Sequence, residues 1–161
     1  VDFWVEMPPH GLVQGEDYLY GGALGNKMGD GGPTSDFGGL IYDYHSVARR
    51  SQSPSYRKSL PQNTIAGIMP SWDNTARRGP LGHIAYGANP ATFRAWLRGL
   101  QKGPLAGSYQ QELFVNAWNE WAEKAVLEPS ETFGQMYLDV LAEALRTPVS
   151  VEQSEKLRAH G

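Results

Sequence analysis

The chain has 161 residues, 14 Lys and Arg against 17 Asp and Glu, a formal net charge of −3, and no cysteine. That length carries one domain with a sizeable core and argues against two independent ones. The acidic balance excludes a clustered phosphate-backbone surface of the nucleic-acid-binding kind, and the missing cysteines exclude disulfides, thiolate nucleophiles and Cys-based zinc sites.

In chain order, Val1–Met7 alternates as a strand and stops at Pro8-Pro9, because proline cannot continue a ladder. Residues 11–39 are rich in Gly and Asp and read as a long irregular excursion. Gly39–Tyr44 is a second short strand, with Tyr42 and Tyr44 on one side of it, and Ser46–Arg50 opens a short helix. Asn63–Pro70, carrying Ile65, Ala66, Ile68 and Met69, has the continuous apolar character of a strand buried on both faces. Asn89-Pro90 then starts a helix, with Asn89 as cap and Pro90 in the first turn, and Phe93, Trp96, Leu97 and Leu100 follow at helical spacing. Glu112–Trp118 is a further buried strand, and Thr132–Leu145 a helix with Phe133, Met136, Tyr137, Val140, Leu141 and Leu145 on one face. Residues 148–161 form a polar tail, so the organised domain spans 1–147.

Strands alternating with helices favour a parallel α/β architecture, and polar residues follow each strand, as at the C-terminal face of a (β/α)8 barrel. A whole barrel takes about 250 residues, so this chain corresponds to about four units, an incomplete C-terminal portion. No stretch reaches the roughly 18 apolar residues of a membrane-spanning helix, and a soluble protein is the expectation, with a cytoplasmic one slightly favoured.

Five Trp, eight Tyr and five Phe sit among polar residues, a mixture suited to stacking hydroxylated ligands. The richest stretch is Asn116-Ala117-Trp118-Asn119-Glu120-Trp121-Ala122-Glu123. Glycosidic-bond chemistry needs one carboxyl that donates a proton to the leaving oxygen and another that stays ionised. Indole walls and neighbouring amides could separate the two roles, so Glu120 and Glu123 are the candidate catalytic pair, flanked by Trp118, Asn119 and Trp121. The same pattern also fits solvated loop glutamates beside core tryptophans. Trp72-Asp73-Asn74 with Arg77 and Arg78 follows another strand, where the acid and amide could bind sugar hydroxyls and an arginine could fix an anion or steer a carboxylate; a capped basic turn is the plain alternative. Glu6, His10 and Tyr44 complete the candidate substrate contacts. His10, His45 and His83 are scattered singly, without metal-ligand spacing, and no cofactor or phosphate-binding glycine motif is present.

Taken together, Met69–Arg78, Asn89-Pro90 through Leu97, Phe114–Glu123, Leu127-Glu128-Pro129, Gly134 and Tyr137-Leu138 resemble the WbsX-like proteins. That family is commonly labelled a glycosyltransferase of O-antigen or lipopolysaccharide biosynthesis and is similar to glycoside hydrolase family 99, the endo-α-mannosidase group. The resemblance implies a TIM barrel acting on a carbohydrate substrate. It implies Glu120 as base toward a substrate 2-hydroxyl, through an epoxide-like intermediate, Glu123 as general acid/base, and Glu128 as a further polar group near the sugar. Where relatives commonly carry glycine, this chain has Lys124, whose ammonium would favour ionised Glu123 if it pointed inward. A glycoside hydrolase, a sugar-donor-dependent glycosyltransferase and a non-catalytic glycan-binding fragment all follow as readings; the chain lacks the Asp-x-Asp motif common in the second class.

Overall fold

A computed structural model describes residues 2–21 and 25–146, and the tail expected at 148–161 lies outside them. The chain is mixed α/β, with two three-stranded sheets. The first is wholly parallel, in the order β1 (Trp4–Val5), β4 (Thr64–Ile68), β6 (Leu113–Val115). The second runs β2 (Tyr18–Tyr20), β3 (Leu40–Asp43), β5 (His83–Tyr86), with β2–β3 antiparallel and β3–β5 parallel. A short antiparallel hairpin, β7 (Asn119–Glu120) and β8 (Ala125–Val126), follows β6.

The strand expected at 39–44 therefore exists, but it lies in the second sheet and not beside its sequence neighbours β1 and β4. Its end is set by Asp43, whose carboxylate accepts the backbone N–H groups of His45 (3.2 Å) and Ser46 (3.1 Å) and so caps α1 (Tyr44–Gln52). Tyr44 is consequently the first residue of a helix and does not share a strand face with Tyr42. The irregular excursion contains β2, and local sequence patterns do not announce α2 (Pro54–Ser59), capped by Ser53 with Pro54 in its first turn, β5 or the β7–β8 hairpin. A four-residue helix, α3 (Thr75–Arg78), leads from β4 toward β5.

The Asn89 cap forms as its sequence dictates. Its side chain accepts from Ala91 and Thr92, Thr92 Oγ1 accepts from Asn89 N in return, and α4 (Pro90–Gln101) buries Phe93, Trp96, Leu97 and Leu100. The last helix, α5 (Met136–Arg146), begins later than its apolar periodicity; Phe133 packs edge-on to Tyr137 from the preceding turn. Tyr44, Val47, Ile68, Met69, Phe93, Trp96, Leu100, Tyr137 and Val140 form one core, each contributing about 1.5–3 kcal/mol where a large side chain is fully buried.

The central strand β4 is almost entirely buried, as its unbroken apolar run requires. Gly67 is there because a Cβ would meet the backbone oxygen of Glu6, the residue that follows β1, at 2.3 Å. That contact is backbone and cannot swing aside, so Gly67→Ala is expected to lower unfolding free energy by at least about 1–3 kcal/mol in urea titration. The outer strand β1 differs: Phe3, Trp4, Val5 and Met7 are exposed, and among the described residues its outer edge pairs with no strand. No described helix is long and apolar enough to cross a membrane.

Candidate active site

Because β1, β4 and β6 are parallel neighbours, their C-terminal ends bring Pro8–His10, Ser71–Asn74 and Asn116–Glu123 to one side of the sheet. Asn116 locks these ends together. Its backbone N–H donates to Ile68 O (2.9 Å), and its Nδ2 donates to Pro8 O (2.7 Å) with the residue buried.

The loop after β4 and the turn after β7 are fastened by four contacts. Arg77 Nη1 meets Glu123 Oε1 at 2.7 Å, and Lys124 Nζ meets Asp73 Oδ2 at 2.5 Å. Asp73 N donates to Glu123 O (2.8 Å), and Ser71 Oγ donates to Lys124 O. Lys124 adopts a left-handed backbone, φ 50°, a conformation that does not favour a long side chain. It engages Asp73 and leaves Glu123 to Arg77, so the inward contact with Glu123 considered from sequence does not form.

Asp73 also accepts from Thr75 N (3.0 Å) and Thr75 Oγ1 (2.6 Å). Burial pushes its carboxyl upward, but the hydrogen bonds from Lys124 and Thr75 outweigh that, and it titrates below the ordinary 3.8. A carboxyl depressed on folding contributes stability that is complete above its unfolded value and is lost as pH falls through the lower folded one. Acid titration of the wild type is therefore expected to lose a component of stability below pH 3.8 that Asp73→Asn lacks; superimposable acid limbs would contradict the fastening role.

Glu120 stands apart from this lattice. Half-buried at the end of β7, its carboxylate has no hydrogen-bond or ion-pair partner among the described residues. Trp118 and Trp121 on either side are about half exposed, at 52% and 51%. Trp121 Nε1 donates to Glu128 Oε2 (2.9 Å), which orients one indole and occupies one oxygen of the expected sugar contact Glu128. Asn119 is exposed beside them.

Several expected substrate contacts are instead structural. Tyr44 is fully buried; its hydroxyl donates to Met69 O (2.7 Å) and its ring meets Trp96, so it cannot reach a ligand. Glu6 is buried and accepts from Arg57 (2.5 Å), Tyr56 (2.8 Å) and Gly67 N (3.2 Å), which spends its carboxylate inside the fold. Asn74 is buried and holds His83: its Oδ1 accepts from His83 N (2.7 Å) and its N donates to His83 O (3.2 Å). Trp72 is 3% exposed and forms a wall, with the exposed His10 ring edge-on to it at 5.4 Å. The accessible set is thus Glu120, Glu123, Trp118, Asn119, Trp121, Glu128, Arg77, Asp73 and His10. Among the described residues no three His, Asp or Glu side chains group as metal ligands. The bond from Asn116 to Pro8, the bond from Ser71 to Lys124 and the Asp73 partnership of Lys124 were not identified from sequence, because each depends on a contact across separate strands.

The family model for "Glycosyltransferase WbsX" matches residues 6–141. The "Uncharacterized protein WxcX" of Xanthomonas campestris pv. campestris strain B100 is 39% identical over 113 residues, which is 68% of this chain and 16% of that protein. Its counterpart in a second strain of the pathovar has the same identity and coverage. No solved structure matches the chain. This chain therefore spans about a sixth of the length of these relatives, and the family match over residues 6–141 places it in the WbsX glycosyltransferase family, a family of carbohydrate-active enzymes.

Proposed function

We propose that the chain carries the working carboxylates of an enzyme that breaks a glycosidic bond, with Glu120 and Glu123 as the reacting pair. The observation that carries this reading is their unequal treatment: Glu120 has no partner among the described residues and lies close in sequence to the half-exposed Trp118 and Trp121, whereas Glu123 is held by Arg77 and the Asp73 backbone. Two carboxylates in different surroundings are what acid and base roles require. In this reading Glu120 takes the proton of the sugar 2-hydroxyl as that oxygen closes on the anomeric carbon. Glu123 gives a proton to the departing oxygen, and later takes one from the incoming acceptor as that acceptor attacks the anomeric carbon, the bond to the 2-oxygen breaks and Glu120 returns its proton to the 2-oxygen. Water as acceptor gives hydrolysis; a second sugar hydroxyl gives transfer. The apolar edge of β1, which pairs with no strand among the described residues, supports further parallel strands beside it, as in the barrel that the family resemblance implies.

The family's description favours a second reading, transfer from an activated sugar donor. The two separate in one assay. The longer protein is incubated with mannan-type or bacterial surface glycans, with and without sugar nucleotides, and products are followed by mass spectrometry. Cleavage without donor supports the first reading, and donor-dependent chain extension supports the second.

A further inference from the structure

Beside the glutamates lies a group of cationic side chains that the proposed reaction does not use. Residues Trp72–Asn74 pair with the start of β5 through the Asp73–Ile84 bridge, the bond from Ala85 N to Trp72 O (2.8 Å) and the two Asn74–His83 bonds. This fixes His83 against the loop after β4. Asn74 O also accepts from Arg78 N (3.0 Å), so the same buried asparagine sets the position of Arg78. From the end of β1, His10 rests its ring against Trp72. His10, Arg78 and His83 therefore come from three elements that adjoin Trp72–Asn74.

Their neutralisation differs from that of their neighbours. Arg77 is paired with Glu123 and Lys124 with Asp73, but Arg78 is exposed and its guanidinium has no carboxylate partner among the described residues. Neither imidazole has an ion-pair partner there. The histidines supply donors whose charge adjusts to a ligand, and the guanidinium supplies a permanent fork suited to two oxygens of one anion. Burial, and after it the charges of Arg78 and His10, hold His83 below its ordinary 6.5, which accords with these groups lying near one another.

We propose that Arg78, with His10 and His83, forms a subsite for an anionic group borne by the sugar substrate. The glycan-active reading supplies the sugar; the anion site itself does not depend on which glutamate does what. Two sources present this chemistry: a carboxylate on a uronic acid residue of an acidic polysaccharide, and a phosphoryl group on an activated or phosphorylated sugar.

Calorimetric titration of the chain with glucose 1-phosphate, methyl glucuronide and methyl glucoside tests it. At least one anionic probe is expected to bind about tenfold or more tightly than the neutral glucoside. Preference for the phosphate identifies the phosphorylated source, and preference for the glucuronide identifies the acidic polysaccharide. Arg78→Gln should abolish the preference, Arg78→Lys should keep part of it, and His83→Gln should weaken it several-fold. Binding is read here without turnover, so failure of this site is distinguishable from failure of the glutamate chemistry. Equal binding of all three probes, no binding of any, or an unchanged preference in a folded Arg78→Gln variant overturns the proposal.

Discussion

Glu123→Gln is expected to lower turnover of the glycan substrate by about 10²–10⁴-fold, the usual contribution of a positioned general acid/base. The variant should remain folded. The Arg77 side chain is more than half exposed at its ion pair with Glu123, and a pair of that kind contributes on the order of 0–1 kcal/mol. The backbone fastening from Asp73 N to Glu123 O does not depend on the carboxylate. Glu120→Gln gives the cleaner comparison. Its carboxylate has no partner among the described residues, so the amide leaves no orphaned group behind, and a loss of rate without loss of stability reads the chemistry alone. A transferase and a hydrolase that share the pair should both lose rate. Full turnover in a folded Glu123→Gln variant, measured by product release against a matched thermal melt, would remove this residue from the mechanism.

Local rules explain which parts of the molecule could be read in advance. The Asn89-Pro90 cap and the apolar run around Ile65–Met69 each depend on a few consecutive residues, and both form as their chemistry dictates. The partition of strands into two sheets was not legible, because β3 pairs with β5 across forty residues and no local pattern selects that partner over β4. Tyr44 was misread for a related reason: Asp43 both ends a strand and caps a helix, so the alternation through Tyr42 and Tyr44 crosses an element boundary. In the site, residue types were legible and partners were not. Lys124 is adjacent to Glu123 in sequence, yet it bonds Asp73 on another strand's loop. Arg77 and Arg78 are equivalent in sequence and opposite in circumstance, one engaged by Glu123 and the other without a carboxylate partner among the described residues.

Glu6→Ala is expected to destabilise the chain by about 3–5 kcal/mol, the largest stability effect among these substitutions. The Glu6 and Arg57 side chains are only 7% and 16% exposed, so their ion pair is shielded from solvent. Removing the carboxylate leaves Arg57 charged and uncompensated in that setting, and it also orphans Tyr56 Oη–H and Gly67 N–H. Glu6→Gln retains an acceptor without the charge and should fall between wild type and Ala. Replacing both partners, Glu6→Leu with Arg57→Leu, should recover much of the loss, since apolar substitution of a buried pair is often neutral. Urea unfolding with an unchanged slope measures all four proteins. The outcome also decides what Glu6 is for. A residue that touches substrate at the end of β1 would lose turnover in Glu6→Ala while keeping its unfolding midpoint. The three internal hydrogen bonds predict the reverse order: the midpoint drops first, and any turnover that survives in Glu6→Gln should follow the folded fraction. The carboxylate then serves the active site indirectly, by holding α2 against β1 and β4 and so keeping in register the strand ends that carry His10, Asp73 and Glu120.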